Sequence, residues 1–161
     1  MGRSALVEVA AVRRYLVVAN QTLGGPELID AVCERLSAGP CEFHVVVPAT
    51  PVAGVIETYG PLGVGLPLLP PPDEESLTVA RERLEAELAR LRAAGAHADG
   101  EVGDPDPVRA IRTALAGRGC DEILLSTLPP GISRWLHWDL PSRVRRAVPQ
   151  PVTHVCAKES R

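Results

Sequence analysis

The sequence predicts an α/β protein, a parallel sheet with helices covering both of its faces. Three observations lead there. Short apolar runs alternate with segments of helical period along nearly the whole chain. The runs carry no polar face, as expected of strands buried on both sides. The available core is aliphatic, because 45% of the residues are hydrophobic and only 3% aromatic. Alternating strands and helices with room for right-handed crossovers give a doubly wound sheet. A length of 161 residues suits one domain, with residues 1–13 as a lead-in and residues 14–161 as the folded unit.

The first strand is the apolar run at residues 15–20, ending in the polar Asn20. Residues 21–25 make the turn, Pro26 suits a first helical position, and Leu28, Ile29, Val32 and Leu36 share one helical face before Gly39-Pro40 ends the helix. Residues 43–47 form strand two. Residues 49–72 are a long Pro- and Gly-rich connection, either a functional lid or a mobile link. Asp73 or Ser76 caps the second helix, whose Leu77, Ala80, Leu84, Leu88 and Leu91 recur at threes and fours. Its Arg81, Glu82, Arg83, Glu85, Glu87 and Arg90 are expected on the solvated side.

Residues 97–102 make a strand of low apolar content, which belongs at a sheet edge. Asp104 and Asp106 read as turn and cap residues. Pro107 opens helix three, with Val108, Ile111 and Leu115 facing inward, and Gly117 and Gly119 stop it. Ile123-Leu124-Leu125 is the core of strand four, and Ser126-Thr127 is its polar tip. A loop leads to a helix capped by Ser133 and starting at Arg134. Pro141 interrupts that helix, Asp139 is placed to cap a second segment, and residues 151–156 form the last strand.

Several function classes are disfavoured. A net charge of -3 offers no basic field for nucleic acid, and the cluster Arg143, Arg145 and Arg146 reads as a solvated helix face. No apolar run approaches a membrane span, and none near the start has signal-peptide length, so a cytoplasmic protein is expected. Cys33, Cys41, Cys120 and Cys156 form no Cys-x-x-Cys pair and read as buried free thiols. The four histidines are equally scattered, so no metal site is expected. No nucleophile with an evident base stands out, and an enzyme is not expected.

Ligands of open parallel sheets sit outside the carboxyl ends of the strands. The candidate ligand-binding residues are therefore Asn20, Thr22, Gly103, Ser126, Thr127, Gly131, Ser133 and Arg134. For the hydroxyls of Ser126, Thr127 and Ser133 the alternative is tying down a proline-restricted loop. Arg134 either clamps an anion or pairs with Asp139 or Glu122. Trp135 and Trp138, three apart, pack over the core or wall a pocket.

Gly103-Asp104-Pro105 opening helix three, Asp121 opening strand four and Pro151-Val152 opening the last strand, with the element order over residues 15–155, carry a resemblance. The chain resembles the universal stress protein family, in an actinobacterial-type branch without the usual nucleotide motif. The resemblance implies a Rossmann-like, adenine nucleotide alpha hydrolase-like sheet of five parallel strands in the order 3-2-1-4-5. It also implies a homodimer pairing the last strands through Val152, Thr153, His154, Val155 and Cys156, which a proline at Thr153 is expected to disrupt.

Family members that bind ATP carry an aspartate at the tip of strand one and a Gly-x2-Gly-x9-Gly-[Ser/Thr] signature after strand four. Here Asn20 stands at the first position, Ser126 and Pro129 at the first two glycines, and Trp138-Asp139 near the last pair. Prolines remove N–H donors that would approach a phosphate, and Asp139 would repel one. The expectation is a non-catalytic dimeric module that binds a small, anionic or polar ligand or a partner protein in a stress response. The alternative is a nucleotide-binding protein (ATP, AMP or cyclic AMP) with an altered phosphate loop and at most slow hydrolysis.

Overall fold

A computed structural model describes residues 11–19, 25–49, 73–128 and 139–158. Its elements are β1 (Arg13–Val18), α1 (Pro26–Ala38), β2 (Cys41–Pro48), α2 (Glu74–Ala93), β3 (His97–Gly103), α3 (Pro107–Gly117), β4 (Glu122–Thr127), α4 (Leu140–Ala147) and β5 (Val152–Cys156). The strands form one sheet in the order β3-β2-β1-β4-β5, parallel throughout. The expected topology is therefore present, with β3 at an edge. Residues 50–72, and the expected helix start at Ser133 and Arg134, lie outside the described residues.

Each face of the sheet has its own core. On one, Tyr15, Val17, Phe43, Val45, Val47 and Leu124 pack under Leu28 and Val32 of α1 and Ala80, Leu84, Leu88 and Leu91 of α2. On the other, Leu16, Val18, Val46, Ile123 and Leu125 pack under Ala110, Ile111 and Ala114 of α3 and Leu140 and Val144 of α4. Alternate residues of β1 thus serve opposite cores, which is why the run shows no polar face. Tyr15 and Phe43, register partners on β1 and β2, stack with ring centroids 5.2 Å apart.

Caps and breakers act largely as their chemistry dictates. Asp73 accepts from the Ser76 N–H at 2.7 Å and Asp106 from the Val108 N–H at 3.1 Å, so both start their helices with a side-chain cap. Asp139 occupies the N-cap position of α4 but in a left-handed conformation, φ 51°, and its side chain makes no capping hydrogen bond. Pro141 stands in the first turn of α4, the second segment expected there, where a proline sacrifices no helical hydrogen bond.

Two expectations about burial fail. Glu87 is fully buried, not solvated: it lies three residues after Leu84 and four before Leu91, on the inner stripe of α2, with Arg90 Nη1 3.6 Å from Oε2. Cys33 is exposed, because it falls one position beyond Val32, which takes the inner stripe of α1. Cys41 is buried, whereas Cys120 and Cys156 are partly so. Burial pushes the Cys41 and Cys120 thiols up, away from the reactive thiolate.

One ion pair joins the two halves of the sheet. Arg35 of α1 places Nη2 2.6 Å from Oε1 and Nε 3.3 Å from Oε2 of Glu122 on β4, with only 14% and 15% of the two side chains exposed. The guanidinium also lies 5.6 Å from the Tyr15 ring centroid, and the Thr153 hydroxyl of β5 donates to Glu122. Burial pushes the Glu122 carboxyl up, but the hydrogen bonds from Arg35 and Thr153 and the charges of Arg35 and Arg13 outweigh it, leaving the group below the ordinary glutamate range.

A depressed carboxylate stabilises the fold fully above its unfolded-state pKa and loses that contribution as pH falls through the folded value. Glu122→Gln should therefore cost about 1–3 kcal/mol at neutral pH. In urea titrations repeated down the pH scale, the gap between wild type and variant should close below the ordinary carboxylate range. A gap independent of pH would refute this role.

Candidate functional site

The helices change sides between β1 and β4. α1 and α2 cover one face, α3 and α4 the other, so the crevice outside the carboxyl ends of β1 and β4 is the topological switch point where ligands of such sheets bind. β1 ends first. Val18 pairs with Leu125, and β4 continues through Ser126 and Thr127. The Ala19 N–H then turns to the Val46 carbonyl at 3.4 Å. Of the candidate residues, Gly103, Ser126 and Thr127 are described, whereas Asn20, Thr22, Gly131, Ser133 and Arg134 lie outside the described residues.

Ser126 and Thr127 are 2% and 1% exposed, so neither hydroxyl opens to solvent. Strand alternation sends Ser126 towards the α1 face and Thr127 towards the α4 face. Thr127 Oγ1 lies 2.6 Å from His154 Nε2 on β5. Burial, and secondarily the Arg145 charge, push the His154 imidazole below its ordinary range, favouring the neutral ring. A neutral imidazole with its proton on Nδ1 accepts from the Thr127 hydroxyl. The contact ties β4 to β5.

The chain after β5 folds across this rim. The Ala157 N–H donates to the Thr127 carbonyl at 2.9 Å, and the Lys158 N–H to Glu27 Oε1 at 3.0 Å. Glu27 sits in the first turn of α1, where its own N–H and that of Lys158 hold its carboxyl below the ordinary range. A carboxylate thus occupies the positive end of α1, the place a phosphate favours in sheets of this kind.

Gly103 ends β3, and its carbonyl accepts from the Ala49 N–H at 3.0 Å. A Cβ there would fall 2.8 Å from Ala110 Cβ and 2.9 Å from Val46 Cγ1. The glycine lets α3 close onto the sheet. Asp104 accepts from the Asp106 N–H at 2.8 Å, which completes the turn into α3.

The outer edge of β5 has a definite phase. The Ile123 N–H donates to the Pro151 carbonyl and the Ala157 N–H to the Thr127 carbonyl, so odd-numbered residues of β5 exchange hydrogen bonds with β4. Val152, His154 and Cys156 point their backbone groups outward. A proline at Thr153 would break the β4 ladder instead of the edge, correcting the substitution expected from sequence. All five residues are partly exposed.

This topology and crossover pattern match solved structures over nearly the full chain. The fold is that of the universal stress proteins. A universal stress protein from Archaeoglobus fulgidus superposes with a TM-score of 0.58 at 16% identity, covering 91% of this chain and 93% of that one. One from the same organism in complex with dAMP gives 0.58 at 12% identity, covering 92% and 98%. A universal stress protein in complex with cAMP gives 0.51 at 18% identity, covering 92% and 100%. No protein-family model and no curated protein sequence matches the chain.

On the universal stress protein fold, the residues missed from sequence are Glu27 and Arg35, whereas Glu122 and His154 were named for other roles and are found paired with Arg35 and Thr127. Only Glu27 had a local signal, an acidic residue just after a first-turn proline. Gly103→Ala should destabilise the protein by about 1–3 kcal/mol through overpacking against α3. Chemical denaturation measures it, and an unchanged midpoint would mean that α3 shifts freely.

Proposed function

We propose that this chain is a non-catalytic, dimeric universal-stress-protein-like module that binds a small ligand or a partner protein in a stress response. The observation that carries the dimer is the unequal chemistry of the two sheet edges. On β3, Arg92 donates through Nε and Nη2 to the Ala98 carbonyl, which the ladder phase points outward, and His97, Asp99 and Glu101 add polar and charged groups. Such features discourage edge pairing. β5 carries Val152, Thr153, His154, Val155 and Cys156, with no carboxylate, lysine or arginine. An uncharged edge beside a guarded one favours association through β5.

The switch point is the ligand site in this reading, supported by the general habit of open parallel sheets, and the buried hydroxyls and the carboxylate of Glu27 favour a ligand other than a conventionally bound polyphosphate. The second reading, an adenine nucleotide held by altered contacts, draws on the universal stress protein structures in complex with dAMP and cAMP.

Proline is tolerated on an edge strand where its missing N–H faces outward. Val152→Pro and Cys156→Pro should therefore leave a folded monomer where the wild type sediments as a dimer. A wild-type monomer at micromolar concentration would sink the dimer. Native mass spectrometry before and after adding ATP or cyclic AMP tests the second reading, which a spectrum free of nucleotide adducts would remove.

A further inference from the structure

At the other end of the sheet, the amino ends of β1, β2 and β3 and the turn into β4 enclose a cavity of about 380 Å³, within the size range of small-molecule sites. It lies at the rim opposite the switch point and owes nothing to the function proposed above. Three guanidinium groups from three elements line it: Arg14 on β1, Arg92 in the last turn of α2 and Arg118 at the C-cap of α3.

Each arginine is anchored through only part of its fork. Arg14 Nε lies 2.9 Å from Glu42 Oε1, Arg92 donates through Nε and Nη2 to the Ala98 carbonyl at 3.1 and 2.9 Å, and Arg118 Nη1 straddles the Asp99 carboxylate at 3.1 and 2.8 Å. Among the described residues these contacts leave both Nη groups of Arg14, Nη1 of Arg92, and Nε and Nη2 of Arg118 unspent. The acceptors are more fully engaged. Asp99 Oδ1 also faces His44 Nδ1 at 2.9 Å, and both Asp99 oxygens face Arg118.

The remaining capacity is therefore mostly donors in planar forks, the geometry that matches carboxylate and phosphate oxygens. Arg14 and Arg118 are 59% and 50% exposed, so their present ion pairs are weak and give way readily to a ligand. Leu16 and Cys120 contribute apolar wall.

We propose that this cavity binds a small organic anion, a carboxylate or phosphate on a compact body, held by the unspent N–H groups of Arg14, Arg92 and Arg118. The test is an amide and arginine side-chain NMR titration of the full chain at low ionic strength, with inorganic phosphate in one arm and succinate in the other. Saturable shifts should cluster at Leu16, Asp99, Gly119 and the three arginine side chains with at least one probe, and Arg118→Ala should weaken binding about tenfold or more. Arg118 contributes only an exposed ion pair to the fold, so the variant should keep its circular dichroism spectrum. Arg14→Ala gives an independent second reading of the same loss. Shifts that never saturate, shifts centred on Thr127 and Cys156 at the opposite rim, or unchanged affinity in both variants would overturn the proposal. The location of the shifts separates this outcome from failure of the switch-point reading.

Discussion

Glu122 is where the chain's first crossover is fastened to its second half. Arg35 reaches it from α1, Thr153 from β5, and the Arg35 guanidinium lies over the Tyr15 ring of β1. A buried pair of this kind gains little over apolar packing, yet leaving one partner alone is costly. It fixes where α1 lies across the sheet, whereas the right-handed sense of the crossovers sets the faces, α1 and α2 on one and α3 and α4 on the other. The switch point between β1 and β4 follows from that arrangement.

Local chemistry was legible in the sequence. The apolar runs of β1, β2 and β4, the inner stripe of α2, the caps Asp73 and Asp106 and the weak edge strand β3 all declare themselves within a few residues. Long-range pairing was not. Arg35 and Glu122 are 87 residues apart, and Thr127 and His154 are 27 apart. Nothing in either neighbourhood names the partner. Gly103 shows the same limit: its sequence position marked a loop, but its lack of a side chain serves the contact with Ala110 and Val46. Glu87 looked like one more member of a charged face, since helical phase alone separates it from Glu85.

The two rims differ in chemistry. At the carboxyl ends, the described residues contribute buried hydroxyls and the Glu27 carboxylate. At the amino ends, partly committed guanidinium forks surround a cavity. Fold alone does not distribute function between them, because doubly wound sheets host many activities. Side-chain chemistry does, and it makes the amino rim the richer in anion-binding donors among the described residues.

β5 connects the carboxyl rim to the open edge. Its two faces are pinned separately, Thr153 to Glu122 on the α1 side and His154 to Thr127 on the α4 side, and its continuation covers the rim through Ala157 and Lys158. The backbone groups of Val152, His154 and Cys156 that would meet a second chain belong to the same five residues. The carboxyl rim and the edge proposed to pair therefore meet on one short strand, fixed to β4 along its length and to α1 through Lys158 and Glu27.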